Sequence, residues 1–333
     1  MKIRNQYGYQ TQHLQLKAAF SDIFPNVGFD VFEKPGVSNG PIIMIFEGEK
    51  EYDLRDSAAG YFEVLHILSS LSALGADDML VIDEPALHLH PLRVRYFGKK
   101  MAAFAKRQVI LFTHSPYFVN IWLFGTNQCL IKVQKDAKGS SKILDKQRQT
   151  AFTFSIKPYH FKPDIFFSRC NVFVEGASDA NALTAISDAL RNVFEVNDIL
   201  LVDSGGKDNL DKYVELIELY ELPYVAMADH DYVLGSRKIT ADFTILPGRL
   251  EDELAKLDSG RAANTAVKNI NGTICSNNKT KSIDATRAYE LIYNKMNTDR
   301  KNVKDTNLAI VFNQALAKVG ITNPEEVWDR DSG

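Results

Sequence analysis

The strongest pattern along the chain is a series of short apolar runs that each stop on polar or acidic residues. Asn171-Val172-Phe173-Val174 runs into Glu175-Gly176-Ala177-Ser178-Asp179, and Pro223-Tyr224-Val225-Ala226-Met227-Ala228 runs into Asp229-His230-Asp231. Both predict buried strands, the first turning at Gly176 and entering a helix near Ser178 or Asp179. Met79-Leu80-Val81-Ile82 ends on Asp83-Glu84-Pro85, and Gln108-Val109-Ile110-Leu111-Phe112 ends on Thr113-His114-Ser115-Pro116. A helix from Arg93 to Lys106 between them completes a strand-helix-strand unit of the kind found in parallel sheets. Leu65, Leu68, Leu71 and Leu74 repeat along an amphipathic helix from Tyr61 to Leu74, entered through Ser57-Ala58-Ala59-Gly60, and Pro41 to Phe46 reads as a strand before it.

Weaker patterns fill in the remainder. Asp198 to Asp203 predicts a strand, Ser204-Gly205-Gly206-Lys207-Asp208 a tight turn, and Asn209 to Tyr220 a helix. Thr244 to Leu254 reads as a strand, a turn at Pro247-Gly248 and an acidic helix start containing Glu251 and Glu253. Two strand-like runs flank Lys138-Gly139-Ser140-Ser141-Lys142, which predicts a hairpin with a charged tip, more simply a solvated loop than a phosphate contact. Phe152 to Phe167 reads as a linker, whereas residues 1–40 support no reading. The expected class is α/β, with one lobe over residues 1–150 and a second domain over 151–333.

At 333 residues and 45% hydrophobic content the chain has enough apolar surface for two such cores. A net charge of −3 argues against a uniformly basic coat but leaves local basic surface open. Cys129, Cys170 and Cys275 show neither paired nor zinc-ligand spacing, which fits a reducing, cytoplasmic setting. The N-terminal residues lack the apolar stretch of a signal peptide, and no apolar run reaches membrane-spanning length, so no membrane partner is expected.

Acids at the ends of neighbouring parallel strands converge on the crevice where such sheets bind ligands. Glu175, Asp179, Asp229 and Asp231 would then share a small volume and repel one another unless a cation sits among them. Hard oxygen donors favour magnesium or manganese, whose chemistry is water activation and stabilisation of charge on a phosphoryl group. The simpler alternative is a pair of strand ends with acidic helix caps. At the other strand pair, Asp83 suits a water on a nucleotide's magnesium, Glu84 suits polarising the attacking water, and His114 suits contact with a terminal phosphate. A strand-end turn and a capping histidine are the simpler accounts there. No Gly-x-x-x-x-Gly-Lys-Ser/Thr loop occurs anywhere in the chain, so any ATP site is incomplete on its own.

The Glu175-Gly176 turn followed by Asp229-His230-Asp231 resembles the Toprim domain of topoisomerases, primases and certain nucleases. Leu80-Val81-Ile82-Asp83-Glu84-Pro85 resembles the Walker B motif, and Thr113-His114-Ser115-Pro116 the switch histidine, of ATP-binding-cassette ATPases of the chromosome-maintenance branch. Ser57 to Gly60 occupies the place of their signature motif but lacks the glycine after the serine, so an ordinary helix N-cap at Ser57 is the simpler reading. The order of the two halves resembles the OLD (overcoming lysogenization defect) family, including antiviral nucleases of the Gabija and retron-associated type. That resemblance implies a parallel-sheet ATPase lobe and a Rossmann-like Toprim domain that cuts DNA with two magnesium or manganese ions. It implies Glu175, Asp179, Asp229, Asp231 and Glu251 as metal ligands, with Glu253 behind Glu251. A late lysine, Lys304 or else Lys301, would serve catalysis, although locally both read as surface charges. By the same analogy the chain forms a homo-oligomer, and its Walker A loop comes from a missing N-terminal lobe or a partner protein. A non-catalytic nucleotide sensor or dimerisation platform with a vestigial Toprim site is the alternative.

Overall fold

The apolar runs that stop on acids fold as parallel strands in the computed structural model, which describes residues 6–32, 41–75, 78–85, 87–104, 108–122, 130–135, 139–143, 161–230, 232, 242–257 and 285–329. The chain divides into two units, Met1–Gln128 and Cys129–Gly333.

In the first unit, β1 (Val27–Phe32), β2 (Ile42–Glu47) and β3 (Lys50–Asp53) form an antiparallel sheet in that order. Helix α1 (Gln6–Ile23) and strand β1 come from a region whose pattern announced neither. The reason is local, because among its described side chains α1 buries only Ala19, Phe20 and Ile23, near its C-terminus, and these make no sustained apolar stripe. Helix α2 (Ala59–Ala73) buries Val64, Leu65, Leu68 and Leu71 as expected. Its N-cap is Ala58, not Ser57, whose hydroxyl instead donates to the Leu54 carbonyl at 2.6 Å and closes the preceding turn.

Strands β4 (Met79–Asp83) and β5 (Gln108–Phe112) pair in parallel across α3 (Pro91–Phe104), followed by the short α4 (Pro116–Trp122). Both were expected to be buried, and the structure differs. Leu80, Ile82, Val109 and Leu111 pack on the core, while Met79, Val81, Ile110 and Phe112 alternate with them and are exposed by 52, 55, 37 and 54%. Parallel strands are apolar on both faces because both are ordinarily covered. Among the described residues only one face of this pair is.

The second unit opens with the expected hairpin, β6 (Val133–Lys135) against β7 (Ser141–Ile143). The stretch read as a linker is partly core, since Phe161, Ile165 and Phe166 are buried. Four parallel strands follow, β8 (Cys170–Val174), β9 (Ile199–Asp203), β10 (Tyr224–Ala228) and β11 (Phe243–Ile245), in the spatial order β11-β10-β8-β9. Every residue of β8 and β10 is buried. Their side chains alternate between two helical layers. Val172, Val174, Val225 and Met227 share a core with α5 (Ala177–Ala189), α9 (Ala285–Thr298) and α11 (Asn307–Lys318). Phe173 points the other way and stacks on Tyr213 of α7 (Lys207–Leu219), ring centroids 5.2 Å apart.

Connectivity follows from that layering. The chain leaves β8 for β9 on one side and returns through α7 to β10 on the other, so the order reverses between β8 and β10. This is the switch point at which open α/β sheets bind ligands, and β8 and β10 are the strands that end on Glu175 and Asp229. Phe312 of α11 holds the layer beneath, stacking on Phe194 at 5.1 Å and meeting Trp328 edge-on at 5.3 Å. Replacing this fully buried ring by Ala is expected to cost about 3–5 kcal/mol. Urea denaturation followed by Trp fluorescence checks this, and a midpoint close to that of the unmodified protein would contradict the packing described.

Candidate functional site

Glu175 leaves β8 at its C-terminal end, and its Oε1 accepts the backbone N–H of Asp229 at 3.1 Å. This bond spans the switch point and ties the two acidic strand ends together. Gly176 extends the chain, and Asp179, in the first turn of α5, turns its carboxylate back to accept the Gly176 N–H at 3.1 Å. Asp179 is thus a helix cap, as the simpler alternative had it, and at the same time a neighbour of the other acids. Burial pushes its pKa up to about 7, and the charges of Asp229, Glu175 and Glu251 push in the same direction against the Gly176 hydrogen bond.

Glu251 stands in the first turn of α8 (Leu250–Leu257), which the buried Leu250 and Leu254 anchor to the core. Glu253 on the same helix is 1% exposed and accepts both the backbone N–H and the Nδ2 of Asn307, each at 2.9 Å, at the start of α11. Its carboxylate therefore joins two helices. Lys304 ends the short α10 (Arg300–Lys304), where it pairs with Glu325, and Asp329 lies 3.9 Å away. Lys301 is exposed on the same helix, and Asp231 lies outside the described residues.

The donors at this sheet end are hard carboxylate oxygens crowded around Asp179, an arrangement whose repulsion a divalent cation relieves. Among the described residues, which leave out Asp231, no three His, Cys, Asp or Glu side chains form a finished cage.

In the first unit the β4 and β5 ends form a different site. Glu84 takes a left-handed backbone, φ 46°, and its N–H donates to the Phe112 carbonyl at 2.9 Å. Its Oε1 faces the N–H of His114 at 3.0 Å and the imidazole Nδ1 at 2.6 Å, and Oε2 accepts from the Thr113 hydroxyl at 3.2 Å. Asp83 is exposed at the last position of β4, in register with Phe112. Gly60, from the run in the signature-motif position, serves packing: a Cβ there would lie 2.9 Å from the His88 carbonyl oxygen.

Residues 166–231 match the family described as overcoming lysogenization defect protein-like, TOPRIM domain, a span holding Glu175, Asp179, Asp229 and Asp231. The matches support the OLD family. Residues 60–120, which hold Asp83, Glu84 and His114, match a family described as an AAA domain. An OLD nuclease of Thermus scotoductus is 25% identical over 161 residues, which make up 46% of this chain and 30% of that protein. The matched stretch thus spans less than a third of that relative's length.

Among solved structures, the C-terminal region of the Xanthomonas campestris pv. campestris OLD protein is similar with 18% identity and a TM-score of 0.26, over 50% of this chain and 95% of that one. The Pyrococcus furiosus Smc head domain bound to the C-terminal domain of ScpA is similar with 16% identity and a TM-score of 0.34, over 41% and 34% of the two chains. Strand order and the two family matches give the architecture, an ATPase-like lobe with a parallel strand pair plus an OLD-like Toprim domain. The Toprim match stops short of Glu251 and Lys304.

Asp179 links the site to stability. Its folded pKa of about 7 lies above the ordinary 3.8, so between these values the folded chain holds a proton that the unfolded chain has released. The resulting stabilisation is complete below about pH 4 and is lost as pH rises through 7. In EDTA, Asp179→Asn is expected to raise the Tm at pH 8 by about 2–5 °C and to flatten its decline above pH 4. Thermal melts over this range check it, and an unchanged Tm at pH 8 would contradict the crowding of charge at Asp179.

Proposed function

We propose that the chain is a metal-dependent DNA endonuclease of the OLD family whose cutting centre is the acidic end of β8 and β10. The observation that carries this reading is the Glu175–Asp229 hydrogen bond across the switch point, beside an Asp179 carboxyl whose proton affinity is raised first by burial and then by Asp229, Glu175 and Glu251. Glu175, Asp179, Asp229, Asp231 and Glu251 would hold two magnesium or manganese ions, Asp179 giving up its carboxyl proton on loading. Bound there, such ions supply Lewis-acid polarisation of a phosphodiester and lower the pKa of an attacking water. The reaction is hydrolysis: a P–O bond forms to the water oxygen, the P–O bond to one nucleotide breaks, and a proton passes to the departing oxygen. Lys304 offsets charge on the phosphate, for which its ammonium must leave Glu325.

In the same reading the first unit is a nucleotide-responsive regulator, with Asp83 on the nucleotide's magnesium, Glu84 polarising water and His114 reporting the terminal phosphate. Its phosphate loop comes from another segment or polypeptide, and the protein works as a homo-oligomer in the cytoplasm, in antiviral defence. A second reading, a non-catalytic regulator with a vestigial metal site, is favoured by the absence of a finished three-ligand group among the described residues.

Nicking of supercoiled plasmid separates the two. With magnesium or manganese the unmodified chain is expected to nick, EDTA to stop it, and Glu175→Gln or Asp229→Asn to lower the rate at least about 100-fold. Nicking that survives either substitution would remove the strand-end acids from the mechanism. A chain that binds metal without cutting supports the regulator.

A further inference from the structure

A cutting centre made of carboxylates repels the polyanion it cuts, so binding energy for DNA must come from cations beside the metal cluster. One cavity at this sheet end offers such a place. It has a volume of about 220 Å³ and is lined by His230, Pro247, Gly248, Arg249 and Asp252. His230 follows Asp229 directly, and Arg249 precedes Glu251 by two positions, so the cavity is built on the same two segments as the acids.

Its walls are fixed to each other. The His230 N–H donates to the Gly248 carbonyl at 3.1 Å, and the Leu246 N–H to the Ala228 carbonyl at 2.9 Å. Asp252 turns its carboxylate back onto the Arg249 N–H at 2.8 Å, closing the first turn of α8. The turn is tight enough that a Cβ on Gly248 would lie 2.3 Å from that carboxylate, so only glycine fits without displacing Asp252. Asp252 is an acid in the lining, but one oxygen is committed to this cap.

Among the described residues of the lining, Arg249 alone carries a positive charge at every working pH. It is exposed, and among the described residues no acid pairs with its guanidinium. A planar guanidinium at the mouth of a preformed recess suits two-pronged hydrogen bonding to phosphate oxygens. We propose that this cavity is a subsite for a backbone phosphate of the DNA strand next to the one being cut, with Arg249 as its anchor. The assignment rests on the nuclease reading above and adds to it where the strand is gripped.

Binding of a fluorescein-labelled DNA duplex to the full chain, measured by anisotropy across a salt series with calcium in place of magnesium, tests the subsite. Arg249→Gln is expected to raise Kd about 5–10-fold and to lower the slope of log affinity on log salt by about 0.9, the loss of one phosphate contact. Arg249→Lys should restore the slope but only part of the affinity, because ammonium keeps the charge without the fork. Arg287→Gln, which removes a cation from α9, serves as the charge control and should leave the slope unchanged. If the unmodified chain binds and cuts DNA while Arg249→Gln matches it in Kd and slope, the subsite is overturned and the nuclease reading stands. If the unmodified chain binds no DNA in any divalent cation, both fall together.

Discussion

Carboxylates crowded at the end of a buried parallel sheet set the terms for the second unit. Glu175 and Asp229 are brought together because β8 and β10 are neighbours, and they are neighbours because the chain reverses its direction of winding between them. Neither acid has to search for the other. The backbone bond from Asp229 to Glu175 locks the two strand ends at a separation the sheet already dictates. Asp179 arrives by a separate route, in the first turn of α5, and accepts a proton more readily than an ordinary aspartate because it is buried there and joins charges that cannot move away.

The rest of this unit can be understood as support for that end of the sheet. Strands buried on both faces need a helix layer on each, and α5, α9 and α11 supply one while α7 supplies the other. Glu253 shows how the support extends to the later elements. Its buried carboxylate joins α8, which carries Glu251, to the start of α11, which lies under β8 and β10. Both of its oxygens accept from donors at a helix N-terminus, which offsets the cost of burying them.

Much of this was legible in the sequence, for a physical reason. Continuous apolar runs in Val172 to Val174 and Tyr224 to Ala228 can only be strands covered twice, and the acids after them must then sit at the carboxyl ends. β4 and β5 were read as buried strands by the same logic, and there the described residues cover one face only, leaving Val81 and Phe112 open. Apolar sequence records what a strand is suited to contact, not what is beside it. α1 escaped notice because a helix buried at one end leaves no periodic stripe, and Ser57 resembled a cap because serine suits both ends of a turn. Arg249 passed as one residue in a strand-turn-helix segment. Only the cavity beside it gives its charge a context, and long-range proximity of that sort has no local signature.

The two acidic strand ends also differ in what they lack. Glu84 is met by donors, since the His114 N–H and imidazole and the Thr113 hydroxyl all converge on its oxygens from the adjoining strand end. Its carboxylate is met by dipoles and, when the ring is protonated, by a cation. Asp179 receives one backbone N–H and otherwise faces acids. Ionising it adds repulsion that the single Gly176 N–H offsets only in part. A glutamate at a strand end and an aspartate in a helix's first turn thus meet opposite surroundings. In the first unit the acid is held by donors from the adjoining strand end. In the second, burial and neighbouring acids keep a proton on Asp179 into the neutral range, which ties pH and stability to a single carboxyl group.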